Sequence, residues 1–386
     1  MDKDDDLPLL VGTASPQMLP AAIARAIDEA FLSARPPPRL PLSYVFAVAA
    51  VGGSALIAPF LYLLLPISFG IGGILWFVVG LSHIRGIYSM LFVVCPALGF
   101  VLAAISLLSP LFRAREISTR VPIVVTRASE PVLFHLIDAC ARAVQTRAPD
   151  EVHFDCDSNA AVVSTQGRTI LILGLPVVAC LSVRELAGLL SHELGHVRQG
   201  FSRRLLLQVV RVHRWFAGAV ESALAGAKDA ERGYVEAIRD ISLAIGLWFL
   251  TGVLTVVNAL TLFLAREMEL DADRYEATVG GSAAFVSTAE KLCAAAVVLD
   301  KTIAEAAAGV SACPDNLPRW AAFHVERMPQ SLRRRAARRL MRDAAGVPHP
   351  PFDVRVANAA TVKGAGYALP DVAAVDLFRA FDSYSR

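Results

Sequence analysis

The chain has 386 residues, of which 55% are hydrophobic, and a mean hydropathy of +0.51, above the level of ordinary soluble domains, so a membrane component is the first expectation. Its 37 basic and 35 acidic residues leave a formal net charge of +2, which provides no global field to favour DNA or RNA. The cysteines, Cys95, Cys140, Cys156, Cys180, Cys293 and Cys313, are far apart, form no Cys-x-x-Cys pair and read as reduced, structural thiols.

Residues 1–42 form a polar N-terminal segment. Its start, Met1-Asp2-Lys3-Asp4-Asp5-Asp6, lacks the basic and apolar pattern of a secretory signal, so no cleaved signal peptide is expected. A short helix and then the stiff stretch Arg35-Pro36-Pro37-Pro38-Arg39 suit an approach to a bilayer. Residues 43–112 form the expected transmembrane region. Tyr44 to Leu65 and Ile87 to Phe112 are charge-free and long enough to cross a hydrocarbon core of about 30 Å. The glycine-spotted stretch Ile67 to Leu81 between them reads as an embedded linker, with a third span as the alternative. Basic residues flank both ends of the region (Arg35 and Arg39; Arg113, Arg115 and Arg120), and an even number of crossings keeps both flanks cytoplasmic.

Residues 113–360 read as one further folded unit. Short β-branched runs at 121–126, 152–154, 160–164 and 169–175 alternate with a helical period over 131–145, which predicts a small α+β arrangement. Ser182 and Glu185 have the spacing of a capping box and open the next helix. That helix carries His192-Glu193-Leu194-Gly195-His196. Residues four apart share one helix face, so His192 and His196 offer two imidazoles to one cation, with Glu193 beside the open position as a general base. Zinc held by three protein groups lowers the pKa of a water from 15.7 to about 7, and a base of this kind is worth about 10²- to 10⁴-fold.

The stretch 241–265 is also charge-free, and length alone would make it a span. If acidic residues just after it bind the same metal, a single crossing would put the ligands on opposite sides of the membrane. Either 201–227 crosses as a partner or 241–265 is buried in protein or dips into one leaflet. The acidic cluster that follows offers two faces for the third ligand, Glu267 with Asp271 or Glu269 with Asp273, each at i, i+4. Either face could also place a carboxylate behind a ligand histidine. Tyr275 follows in the next turn. The remaining histidines, His83, His135, His153, His213 and His324, are isolated and read as packed or surface residues. The arginines at 333, 334, 335, 338, 339 and 342 suggest a solvated basic face or one that meets anionic lipid. Residues 361–386 form a C-terminal tail.

Together, His192-Glu193-Leu194-Gly195-His196, the spacing Arg266-x-x-Glu269-x-x-x-Asp273, the segment His349-Pro350-Pro351-x-x-x-Arg355, and Asn159-Ala160 ahead of the strand at 169–175 resemble the M48 family of membrane zinc proteases. That family includes HtpX-type heat-shock proteases and CAAX prenyl proteases. The resemblance implies an α+β, mostly helical fold with a zincin-like (gluzincin) catalytic domain attached to the N-terminal transmembrane helices. It implies one Zn²⁺ per chain on His192, His196 and Glu269, with Glu193 as base and Asp273 as the carboxylate behind a ligand. In the same way His349 is assigned to the substrate carbonyl or transition state, with Arg355 in support; the alternative for His349 is a proline-stiffened surface loop.

The expected activity is that of an endopeptidase on membrane or membrane-associated polypeptides, in quality control, bound to the lipid bilayer. The expected location is a bacterial inner membrane with the catalytic domain cytoplasmic. An edge strand within 159–175 is the candidate platform for an extended substrate. The alternatives are a processing peptidase for lipidated C-termini and a zinc-binding membrane scaffold without turnover.

Overall fold

The computed structural model describes residues 20–32, 40–108, 123–165, 167–206, 234–342 and 349–385. These residues are mostly helical, with one small mixed sheet. Helix α1 (Pro20–Phe31) is amphipathic, and its apolar stripe of Ile23, Ile27 and Ala30 is buried in the main core. Asp28 on α1 meets His135 at 2.9 Å on α4 (Pro131–Val144), so the N-terminal helix is docked on the catalytic unit.

Helices α2 (Leu42–Leu81) and α3 (Ile87–Leu108) follow as an antiparallel pair. The stretch 67–81, expected as a separate embedded linker, is instead the C-terminal part of α2, which continues unbroken past Pro66. At 1.5 Å per residue, α2 is ~60 Å long and α3 ~33 Å. Trp76 stacks near Phe92 with ring centroids 5.6 Å apart, and the outer faces carry bare apolar groups: Ile74, Val79 and Phe92 are 64%, 63% and 66% exposed.

The sheet contains β1 (Ile123–Val125), β2 (Glu151–Asp155), β3 (Ala160–Thr165) and β4 (Arg168–Gly174) in the order β1-β2-β4-β3. β2 and β4 run parallel, with Val152 opposite Leu171, and the outer pairs are antiparallel. β3 is therefore an edge strand. The amide of Gly174 donates to the Asn159 carbonyl at 2.9 Å. By alternation, Ala161 and Val163 point their backbone groups at β4, while Ala160 and Val162 point theirs away from the sheet.

Beyond α5 (Leu175–Cys180), Ser182 accepts from the Glu185 amide at 3.3 Å and the Glu185 carboxylate accepts from the Ser182 amide at 2.7 Å, closing the expected capping box of α6 (Val183–Arg198). Residues 207–233, including most of the partner segment considered for a crossing, lie outside the described residues. Helix α7 (Tyr234–Gly280) then runs for 47 residues and carries the apolar stretch 241–265 and the acidic cluster on one continuous rod. Its Trp248 and Val256 are 79% and 61% exposed.

Helices α8 (Ser282–Ala307), α9 (Leu317–Arg327), α10 (Gln330–Leu340) and α11 (Phe352–Ala360) complete the unit. Among the described residues, α8 alone is long and apolar enough by length and composition to cross a membrane, but 44% of its most apolar stretch is buried and it packs on α6, α7 and α10. The arginine run falls on α10 and just beyond it; Arg334 pairs with buried Glu290 at 2.7 Å and Arg338 with Asp353 at 3.1 Å. The C-terminal residues fold back onto the core, burying Tyr367, Leu369, Leu377 and Phe381. All the cysteines are unpaired; burial pushes the thiols of Cys140 and Cys180 up to about 12, consistent with inert structural groups.

Candidate metal centre and active-site cleft

The site forms where α6 crosses α7. Close approach is possible because α6 presents glycine at the contact: a Cβ on Gly195 would lie 2.9 Å from the Tyr275 ring, and one on Gly188 would lie 3.3 Å from Cγ of Glu276. Tyr275 is consumed by this packing. Across the crossing, His192 Nε2 lies 3.6 Å from one oxygen of Glu269, and His196 Nε2 lies 3.5 Å from the other. Ligands ~2.1 Å from a tetrahedral zinc are themselves about 3.4 Å apart, so this donor set matches the ion in both chemistry and spacing.

The structure also separates the two acidic faces. Glu269 and Asp273 face the histidines. Glu267 points away and accepts from Ser43 at 2.6 Å, while Asp271 is buried against Gln199. Gln199 Oε1 accepts from His196 Nδ1 at 3.1 Å, and Gln199 Nε2 donates to the Met268 carbonyl at 2.7 Å. His196 is thus oriented by a residue on its own helix end, which is in turn held by α7.

His192 Nδ1 lies 3.3 Å from Asp273 and 3.4 Å from Glu276, charged contacts that lack hydrogen-bond alignment and leave this buried nitrogen between two carboxylates. Arg355 on α11 grips Asp273 at 2.5–3.2 Å and lies 3.9 Å from Glu269. His349 reaches Glu269 with Nδ1 at 3.0 Å and is half exposed. The proline-stiffened segment therefore lies at the Glu269 carboxylate.

The electrostatics are those of a site short of positive charge. Burial disfavours a charged His192, yet Asp273, Glu269 and Glu276 together raise it well above its ordinary value. Burial would raise Glu269, but His192, His196 and His349 bring it well below the carboxylate range. Burial also opposes charge on Arg355, and Asp273, with Glu269 and Glu276, holds it above its ordinary value. A divalent cation among these carboxylates would supply the missing charge.

A cavity of about 430 Å³ opens over the centre, lined by His192, Glu193, Glu269 and His349 and, from the sheet, by Asn159 to Val162. Glu193 is 8% exposed and lines this cavity beside both histidines. Residues 130–363 match the model of peptidase family M48. The chain belongs to peptidase family M48. No curated protein and no solved structure matches it. Membership implies a metallopeptidase.

Within this M48 peptidase, sequence reasoning missed three residues that the fold brings to the site: Glu276, Gln199 and Arg203. Glu276 carries a readable signal, because Glu269, Asp273 and Glu276 follow the i, i+4, i+7 spacing of one helix face. Gln199 carries a local one, since it stands three residues after His196 at the end of the same helix, whereas Arg203 carries none because it acts across a tertiary contact. The isolated histidines lie elsewhere: His135 meets Asp28, His153 meets Glu151 at 2.9 Å, His83 contacts its own helix end, and His324 packs on Trp320. His213 lies outside the described residues.

Proposed function

We propose that this M48 peptidase is a zinc-dependent endopeptidase that hydrolyses peptide bonds of membrane or membrane-associated polypeptides. The observation that carries the reading is the convergence of His192, His196 and Glu269, with Glu193 beside them, in a cleft bordered by the free edge of β3. In this reading those three residues hold one zinc ion, which when bound polarises the scissile carbonyl and acidifies a water.

The chain's own groups do the rest. The Glu193 carboxylate takes a proton from the attacking water and passes it to the leaving nitrogen, so that a C–O bond forms, the C–N bond breaks and no proton is left over. Asp273, clamped by Arg355, fixes the ring of His192 from behind. His349, at the mouth of the cleft, donates to the developing oxyanion. An extended substrate pairs with the outward backbone groups of Ala160.

Exposed apolar surface on α2, α3 and the first half of α7 supports embedding in a bilayer, because patches of this size are rare on soluble monomers. The docking of α1 on the catalytic unit supports an even number of crossings between them, and the arginines that flank the apolar region support a cytoplasmic placement. The continuity of α7 supports a substrate path along the membrane surface to the cleft. The same helix pair supports the zincin-like class.

The test is Glu193→Gln in zinc-loaded protein given casein. Loss of cleavage with zinc content unchanged is expected; cleavage that survives would overturn the mechanism.

A further inference from the structure

Arg203 is a cation in the cleft with no task in the reaction described above. Helix α6 ends at Arg198, and Gly200, at φ +43°, takes the left-handed conformation that favours glycine and turns the chain back. The next helical turn brings Arg203 to the cleft beside Glu193. One arm of its guanidinium donates to the Val162 carbonyl. That carbonyl belongs to the outward edge of β3, the edge available for strand pairing. The other arm, Nη1, is buried and has no hydrogen-bond acceptor among the described residues. Burial lowers the pKa of the group, an effect that Glu193 opposes.

Two consequences follow from this geometry. Because Val162 is already occupied, strand addition along β3 is limited to the Ala160 end. A planar guanidinium with an unused, desolvated N–H also lacks its best partner, a carboxylate, which satisfies two donors at once where a peptide carbonyl satisfies one.

We infer that Arg203 is the specificity-determining residue of the cleft, ending strand pairing at Val162 and presenting Nη1 to a carboxylate of the bound polypeptide. The carboxylate is a side chain or a chain terminus. The inference rests on the peptidase reading for its substrate class. It accounts for a half-buried cation with a desolvated Nη1, placed where an apolar residue would have cost less.

Zinc-loaded Glu193→Gln protein in detergent, which binds without turnover, allows a direct test by fluorescence anisotropy. The probes are a labelled neutral heptapeptide amide, the same peptide with one Glu stepped along its length, and the parent with a free C-terminal carboxylate. At least tenfold tighter binding is expected for one Glu position or for the free carboxylate, and the form that responds identifies the source. Adding Arg203→Gln, which keeps a donor for Val162, should bring acidic and neutral peptides within about twofold, with Arg203→Lys intermediate. Equal binding of all probes to the starting protein, or a preference that survives Arg203→Gln, overturns the inference. Turnover of the same peptides by protein with Glu193 intact is read separately. Acid-selective binding without any cleavage would remove the peptidase reading and leave the carboxylate subsite standing.

Discussion

Arg355 and Asp273 form a buried two-pronged ion pair, with contacts of 2.5–3.2 Å and no exposure of Asp273, directly behind the ring of His192. The pair links α11 to α7 and sets the carboxylate that faces Nδ1. Lys in place of Arg355 keeps the charge but loses the fork. Arg355→Lys is therefore expected to weaken zinc binding by about 10- to 100-fold, the usual cost of losing a group that orients a ligand. Arg355→Ala should in addition cost about 3–5 kcal/mol of stability, because Asp273 is left buried and unpaired. Chelator competition and thermal unfolding read the two effects separately.

The rotation of α7 predicts which acidic residue matters for the metal. Glu269→Ala should abolish stoichiometric zinc, whereas Glu267→Ala, which loses only the 2.6 Å bond from Ser43, should retain it. Metal analysis after dialysis decides the matter; zinc lost from Glu267→Ala alone would mean the wrong face was chosen.

Gly195 and Gly188 test the close approach of α6 and α7. Ala at Gly195 gains about 1 kcal/mol of helix propensity, but its methyl would lie 2.9 Å from the Tyr275 ring. Overpacking of that kind costs about 1–3 kcal/mol, so Gly195→Ala should lower the Tm and loosen zinc. Gly188→Ala meets a side-chain carbon of Glu276 at 3.3 Å and should be close to neutral. Equal losses in the two variants would show that helix separation is not what the motif glycine protects.

The buried pair Glu185–Lys291, at 2.7 Å, predicts a pH dependence away from the metal. Burial raises the Glu185 carboxyl, but Lys291, with Ser287 and the Ser182 amide, brings it below its ordinary 4.5. A depressed folded-state pKa means that stability is present above pH 4.5 and is lost as pH falls through the lower folded value. Lys291→Met should cost about 2 kcal/mol near neutrality, below the range for fully buried pairs because Lys291 is partly exposed. The difference from the parent should shrink below pH 4.5 in denaturant titrations. A gap that widens in acid would contradict this assignment.

Helix α1 is expected to be part of the folded unit. Ile27 is fully buried, so Ile27→Ala should destabilise by about 2–5 kcal/mol, whereas Arg25→Ala, on the exposed face in an i, i+4 pair with Glu29, should change stability by less than about 0.5 kcal/mol. Thermal melts of the two variants side by side check the docking.

Much of this chain is readable because its signals are local. The capping box at Ser182 and Glu185, the strands near 123, 152, 160 and 169, and the histidine pair on one helix face all arise from contacts within a few residues, which composition and period encode directly. The break expected between 65 and 67 did not occur, because a helix continuing among apolar neighbours overrides the local cost of Pro66 and its glycines. Docking of α1 and of the C-terminal residues was not apparent, since an amphipathic stripe shows that a face is buried and not what buries it.

The division is clearest at the metal. His192-Glu193-Leu194-Gly195-His196 by itself determined that two imidazoles share one helix face beside a carboxylate, because one helical turn sets their geometry. The periodicity of 267–273 determined that two acidic faces exist. Only the tertiary structure decided between them, because the rotation of α7 about its axis is set by how closely it packs on Gly188 and Gly195 and by what Gln199, Ser43 and Arg355 hold in place. The same packing brought Glu276 to His192 and Arg203 to the edge of β3. Those partners are distant along the chain and meet only when the helices and sheet close on a shared core.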